Sequence, residues 1–117
     1  MPFKIIYLDD ESDLLEVFSD AFSREDIEIK TFADIEPAVK EILADPPDLL
    51  FIDYRLKNGQ TGDKISMRLN PLLPKALITG ELSLEISEPI FKKIFRKPYI
   101  IDEIENFIQE VKKQKAV

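Results

Sequence analysis

The apolar run Phe3-Lys4-Ile5-Ile6-Tyr7-Leu8 ends in Asp9-Asp10, and Leu14, Leu15, Phe18, Ala21 and Phe22 then follow at helical spacing. This predicts a strand and then a helix with one apolar face. Ser12 or Asp10 is placed to cap that helix, and Glu11 and Asp13 suit its positive end. Residues 27–32 alternate with period two, as a half-buried strand near a sheet edge does. Asp34 is placed to cap a second helix, with Pro37 in its first turn, Ala38, Ile42 and Leu43 on its buried side, and Pro46-Pro47 ending it. The next strand, Asp48-Leu49-Leu50-Phe51-Ile52, stops at Asp53.

After Asp53, residues 57–62 carry turn chemistry, and Ile65, Met67 and Leu69 predict a short helix that stops before Pro71. Lys75-Ala76-Leu77-Ile78 reads as a strand ending in Thr79, and residues 91–96 as another, ending at Lys97-Pro98. Only a stunted helix, residues 82–88, fits between them before Pro89. The last helix has an apolar stripe of Ile101, Ile104, Phe107, Ile108 and Val111, opened by Asp102 and Glu103 and closed by Lys112, Lys113 and Lys115. Strands alternating with helices predict a five-stranded parallel sheet covered on both faces and joined by right-handed crossovers.

Three acids therefore stand at two strand ends. In an open parallel sheet those ends meet in one crevice, where such folds place their ligands. Crowded carboxylates repel, and a hard divalent cation relieves the repulsion. Thr79 and Lys97 bring a hydroxyl and an ammonium to the same edge. Together these groups make a site for taking up a phosphoryl group on a carboxylate.

Composition narrows the alternatives. The 117 residues fit one domain, 1–117, and 44% of them are hydrophobic, enough for a real core. The net charge of −7 disfavours direct nucleic-acid binding and anionic membranes. The chain holds no cysteine and no histidine, which excludes disulfides, thiolate metal sites and histidine acid–base chemistry. No apolar stretch reaches membrane-spanning length, and a cytoplasmic protein is the default expectation.

The Asp9-Asp10-Glu11 turn, Asp53 followed by Leu56 and Gly62, Thr79-Gly80 and Lys97-Pro98-Tyr99 together resemble the receiver domain of two-component response regulators, from about Phe3 to about Val111. The resemblance implies a flavodoxin-like doubly wound fold with a shortened helix between the fourth and fifth strands. It implies Asp53 as phosphoacceptor and Asp9, Asp10, Asp53 and the Arg55 main-chain carbonyl around a magnesium ion. It further implies that Thr79 and Lys97 contact the phosphoryl group and that Gly80 leaves room for it. The expected partners are a sensor histidine kinase or histidine phosphotransfer protein and an unknown downstream protein, with the chain a monomer or weak homodimer. Its chemistry would be limited to self-phosphorylation and dephosphorylation at Asp53, a switch and not a metabolic enzyme. The Lys97-Pro98 bond is a candidate cis peptide.

Three features depart from the family pattern. Lys57 stands where proline is frequent, and Ile94 stands where an aromatic usually moves with the threonine. The stretch from Thr79 to Lys97 is also shorter than usual. A competing expectation is therefore a phosphorylation-independent receiver acting as a protein-interaction module. A phosphatase with an aspartyl intermediate is a third, disfavoured by the adjacency of Asp9 and Asp10 and the lack of a cap domain.

Overall fold

The computed structural model describes residues 2–81 and 90–116. Strand β1 (Phe3–Leu8) leads into helix α1 (Ser12–Phe22), β2 (Ile27–Phe32) into α2 (Ile35–Ala44), and β3 (Leu49–Asp53) into a 3-10 turn and short α3 (Gly62–Ser66). Strands β4 (Lys75–Thr79) and β5 (Lys93–Arg96) precede the long α4 (Ile101–Lys115). All the strand pairs are parallel and the order is β2-β1-β3-β4-β5, so β2 is an edge, as its alternating pattern predicts. The expected helix over residues 82–88 lies outside the described residues.

Side chains alternate across a strand, so β1 serves two cores at once. Phe3, Ile5 and Tyr7 join Phe18, Phe22, Phe51 and Phe107 in one layer with α1 and α4. Ile6 and Leu8 join Val39, Ile42 and Ile65 in the other, with α2 and α3. Phe18 is the hub of the first layer, its ring centroid 4.6 Å from Tyr7, 4.7 Å from Phe22 and 5.1 Å from Phe51. Lys75 is buried at the start of β4, where its ammonium donates to the carbonyls of Asn70 and Leu73 at 2.8 and 3.0 Å.

Several expectations need correction. Leu43 and Met67 are 63% and 74% exposed, because the buried face of α2 runs through Ile35, Ala38, Val39 and Ile42 and α3 ends before Met67. Ile101 is also exposed; it is the first residue of α4, and the buried stripe starts at Ile104. The last strand begins at Lys93, not at residue 91. Asp34 occupies the N-cap position of α2 without a capping bond, since its carboxylate accepts from Lys57 Nζ at 2.7 Å instead. Neither Ser12 nor Asp10 caps α1; Glu11 holds the N-cap position, without a side-chain bond. Phe32, at the end of the edge strand β2, is half-buried as that strand's alternation predicts, packed against the α2 layer.

Candidate functional site

The strand register assembles the site. Leu8 lies opposite Ile52, so Asp9 follows β1 beside Asp53 at the end of β3. Asp53 pairs with Ile78 and Thr79 pairs with Arg96, which places Thr79 and Lys97 one and two steps further along the same edge. The Lys97 N–H donates to the Thr79 carbonyl at 2.8 Å, and the Lys97-Pro98 bond is cis, as expected.

Asp9 is fully enclosed and Asp53 nearly so, whereas Asp10 is exposed. Lys97 Nζ bridges the two buried acids, donating to Asp9 Oδ2 at 2.9 Å and to Asp53 Oδ2 at 3.2 Å. The Glu11 N–H donates to Asp9 Oδ1 at 3.0 Å. Asp9 Oδ2 accepts one more bond, from the hydroxyl of Tyr7. One carboxylate oxygen from each of Asp9, Asp10 and Asp53 lies within 4.8 Å of the other two. Such a set of hard oxygen donors fits a small divalent cation, and the exposed Asp10 is free to turn toward one. Around Arg55 the Gly62 N–H donates to the Tyr54 carbonyl and the Leu56 N–H to the Gln60 carbonyl, and neither bond uses the Arg55 carbonyl.

The charges shape the protonation of the site. Burial, then the neighbouring charge of Asp9, push the Asp53 carboxyl up to about 6, against the pull of Lys97. Burial opposes the Lys97 charge, but the bonds and charges of Asp9 and Asp53 hold its ammonium above the ordinary value. Burial and the Asp9 carboxylate also push the Tyr7 phenol upward, so it serves as a donor.

Asp53 thus carries a folding cost at neutral pH. Its folded pKa is raised from 3.8, so the cost is absent below pH 4, grows as pH rises, and is complete above about pH 6. Asp53→Asn is expected to gain on the order of 2 kcal/mol at pH 7.5 in chelator, with the gain fading toward pH 4. Urea unfolding across that range checks the sign; a loss at pH 7.5 would contradict it.

Thr79 is buried, and its Oγ1 accepts the Glu81 N–H at 3.0 Å. Among the described residues no acceptor takes up its hydroxyl proton. Among the described residues, a Cβ on Gly80 would meet nothing within 4 Å. The Arg55 guanidinium pairs with Glu81 at 2.6 Å and lies over the Tyr54 ring. Arg96 donates to the Glu81 carbonyl, which ties the end of β5 to the same loop. Asp9, Asp10, Asp53, Thr79 and Lys97 thus fall on one edge of the sheet. Two partners were not foreseen: Tyr7, whose signal was a phenol inside a strand two residues before an acid, and Glu81, which carried none.

No protein-family model matches the chain, and no curated protein matches it in sequence. Its structure, by contrast, is similar to many solved ones. The signal receiver domain of an HD domain-containing protein from Pseudomonas fluorescens Pf-5 superposes with a TM-score of 0.88 at 16% identity, covering 99% of this chain and 98% of that one. The chain has the receiver fold. A CheY-like response regulator receiver domain protein from Methanospirillum hungatei JF-1 gives 0.85 at 21% identity, over 99% and 98% of the two chains. A response regulator receiver domain protein from Clostridium thermocellum gives 0.84 at 18%, over 97% and 96%. The five-stranded parallel sheet and its order agree with that fold, flavodoxin-like and doubly wound. Among the described residues no helix is long and apolar enough to cross a membrane.

Proposed function

We propose that this chain is a response regulator receiver that accepts a phosphoryl group on Asp53 in a magnesium-dependent reaction and signals by altered protein binding. The observation that carries the reading is the pair of buried carboxylates, Asp9 and Asp53, sharing one Lys97 ammonium at the carboxyl edge of a receiver-type sheet. Asp9, Asp10, Asp53 and the Arg55 carbonyl would hold the ion, which supplies positive charge against the phosphoryl oxygens.

An Asp53 carboxylate oxygen attacks phosphorus. The new O–P bond forms as the bond from phosphorus to the donor breaks, and the donor group leaves with its electron pair. Lys97 neutralises charge on the phosphoryl oxygens by turning from Asp53 to them. Thr79, whose Oγ1 accepts the Glu81 N–H, donates its hydroxyl proton to one of those oxygens. Beside the crevice, Leu14, Val17, Pro98, Tyr99 and Ile101 line an apolar groove that runs up to Lys97. It suits the docking of a phosphodonor protein, a histidine kinase or histidine phosphotransfer protein, against α1. By its similarity to receiver domains, the downstream partner is read as a protein, and the net charge of −7 disfavours direct binding to nucleic acid. The reaction is confined to Asp53, so the chain works as a switch and turns over no metabolite.

Intact mass after incubation with acetyl phosphate tests this. One phosphoryl gain that needs both magnesium and Asp53, and is absent in Asp53→Asn, is the expected result. No gain under any condition would favour the phosphorylation-independent module. Ile94, 39% exposed on β5 and lacking an aromatic ring, is the observation that keeps that second reading in place.

A further inference from the structure

Asp9 is the most enclosed acid of the site, with no solvent exposure, so hydrogen bonds must meet its charge. Three donors do so: the Glu11 N–H at Oδ1, and Lys97 Nζ and the Tyr7 hydroxyl at Oδ2. They are not equivalent. Lys97 is shared with Asp53 and sits on a long, flexible stem, so it is the donor that leaves Asp9 when another anion arrives. Tyr7 cannot leave. It is fully buried in a central strand, paired with Phe51 across the sheet and packed on Phe18 at 4.6 Å. Tyr7 and Asp9 are two residues apart, so they project from the same face of the chain. An aliphatic residue or phenylalanine would fill the core at this position equally well. The phenol instead brings one polar atom to the floor of the crevice, where Asp9 is its hydrogen-bond partner.

We propose that Tyr7 is a positioning residue of the phosphoryl-transfer site: its buried hydroxyl anchors Asp9 and meets part of its charge, which frees Lys97 to serve Asp53 and the phosphoryl group. The inference rests on the reading of the site given under the proposed function. A consequence separates it from simple packing. The phenol and a bound cation both relieve the same carboxylate, so each makes the other less needed, and their effects oppose one another. Without the hydroxyl, Asp9 should draw a cation more strongly while also holding Lys97 more tightly.

Tyr7→Phe is the test, read first by the magnesium concentration that half-saturates the thermal-stability gain. The expected midpoint is about fivefold lower than in the wild type, the size of one hydrogen bond to a charged group felt unequally by the two states. Phosphoryl gain from acetyl phosphate at saturating magnesium should be slower by a similar factor. An unchanged or higher magnesium midpoint would overturn the proposal, as would an unchanged rate. Should the wild type show neither response, the reading of the site falls, and a metal-free cycle still judges Tyr7. There, Tyr7→Phe should lower the urea midpoint more in the wild type than in an Asp9→Asn background, where the bond lost is to a neutral amide oxygen, and equal losses in both would reduce Tyr7 to a packing residue.

Discussion

Gly62→Ala is expected to destabilise the protein by about 3 kcal/mol, at the upper end of what overpacking a tight site costs. An added Cβ would lie 2.3 Å from the Asp53 carbonyl oxygen, 3.1 Å from its carbon and 3.3 Å from Leu77 Cδ1. The first contact is with backbone of the central strand, which cannot rotate away as a side-chain tip would. Gly62 cannot retreat either, since its N–H donates to the Tyr54 carbonyl at 2.7 Å. The requirement for glycine here is one of space, unlike Gly59, which has a positive φ of 72° after Asn58 at 60°. Gly80→Ala provides the contrast, because among the described residues nothing stands within 4 Å of its added methyl group. Urea unfolding of the two variants should separate them clearly; similar midpoints would mean that the close approach at Gly62 relaxes at little cost. The strain also lands on Asp53 itself, so a folded Gly62→Ala should take up a phosphoryl group more slowly than Gly80→Ala.

The strands were legible in the sequence because β1, β3 and β4 are largely apolar runs that end at an acid or a hydroxyl, and β2 alternates with period two. Those ends also marked the site, since parallel strands bring them to one edge. Asp9, Asp10, Asp53, Thr79 and Lys97 were found in this way. The helices were less legible. A stripe at positions 35, 38, 39 and 42 leaves Leu43 a further 100° around the helix, and apolar character alone does not reveal that rotation. Met67 follows the end of a helix only five residues long, where a periodic pattern has too few turns to be read. Asp34 looked like a cap because of its residue type, but the choice between its own helix and Lys57 depends on the fold bringing Lys57 near. Tyr7 was hidden for a related reason. Inside an apolar run a tyrosine counts as one more core ring, and only the register shows its hydroxyl at an acid.

Lys97→Met should cost about 3 kcal/mol in chelator, the lower end for removing one partner of a buried ion pair. Methionine keeps much of the length and apolar stem and removes the charge. Asp9 would then retain the Glu11 N–H and the Tyr7 hydroxyl, while Asp53 would lose the ammonium that opposes its burial and the charge of Asp9. The lower end applies because burial also works against the Lys97 charge, a penalty the variant escapes. Magnesium reverses the argument. With the ammonium gone, a divalent cation becomes the means of compensating carboxylates whose oxygens lie within 4.8 Å of one another. Thermal unfolding should therefore show a larger magnesium-induced gain in Lys97→Met than in the wild type, and little gain once Asp53→Asn is added. Phosphoryl uptake should still be slower in Lys97→Met, because an ion between the carboxylates does not replace the ammonium that turns to the transferred group. A variant that magnesium stabilises no more than the wild type would show that lysine and cation do not share these oxygens, and the site would then be an ion pair that holds β1, β3 and β5 together.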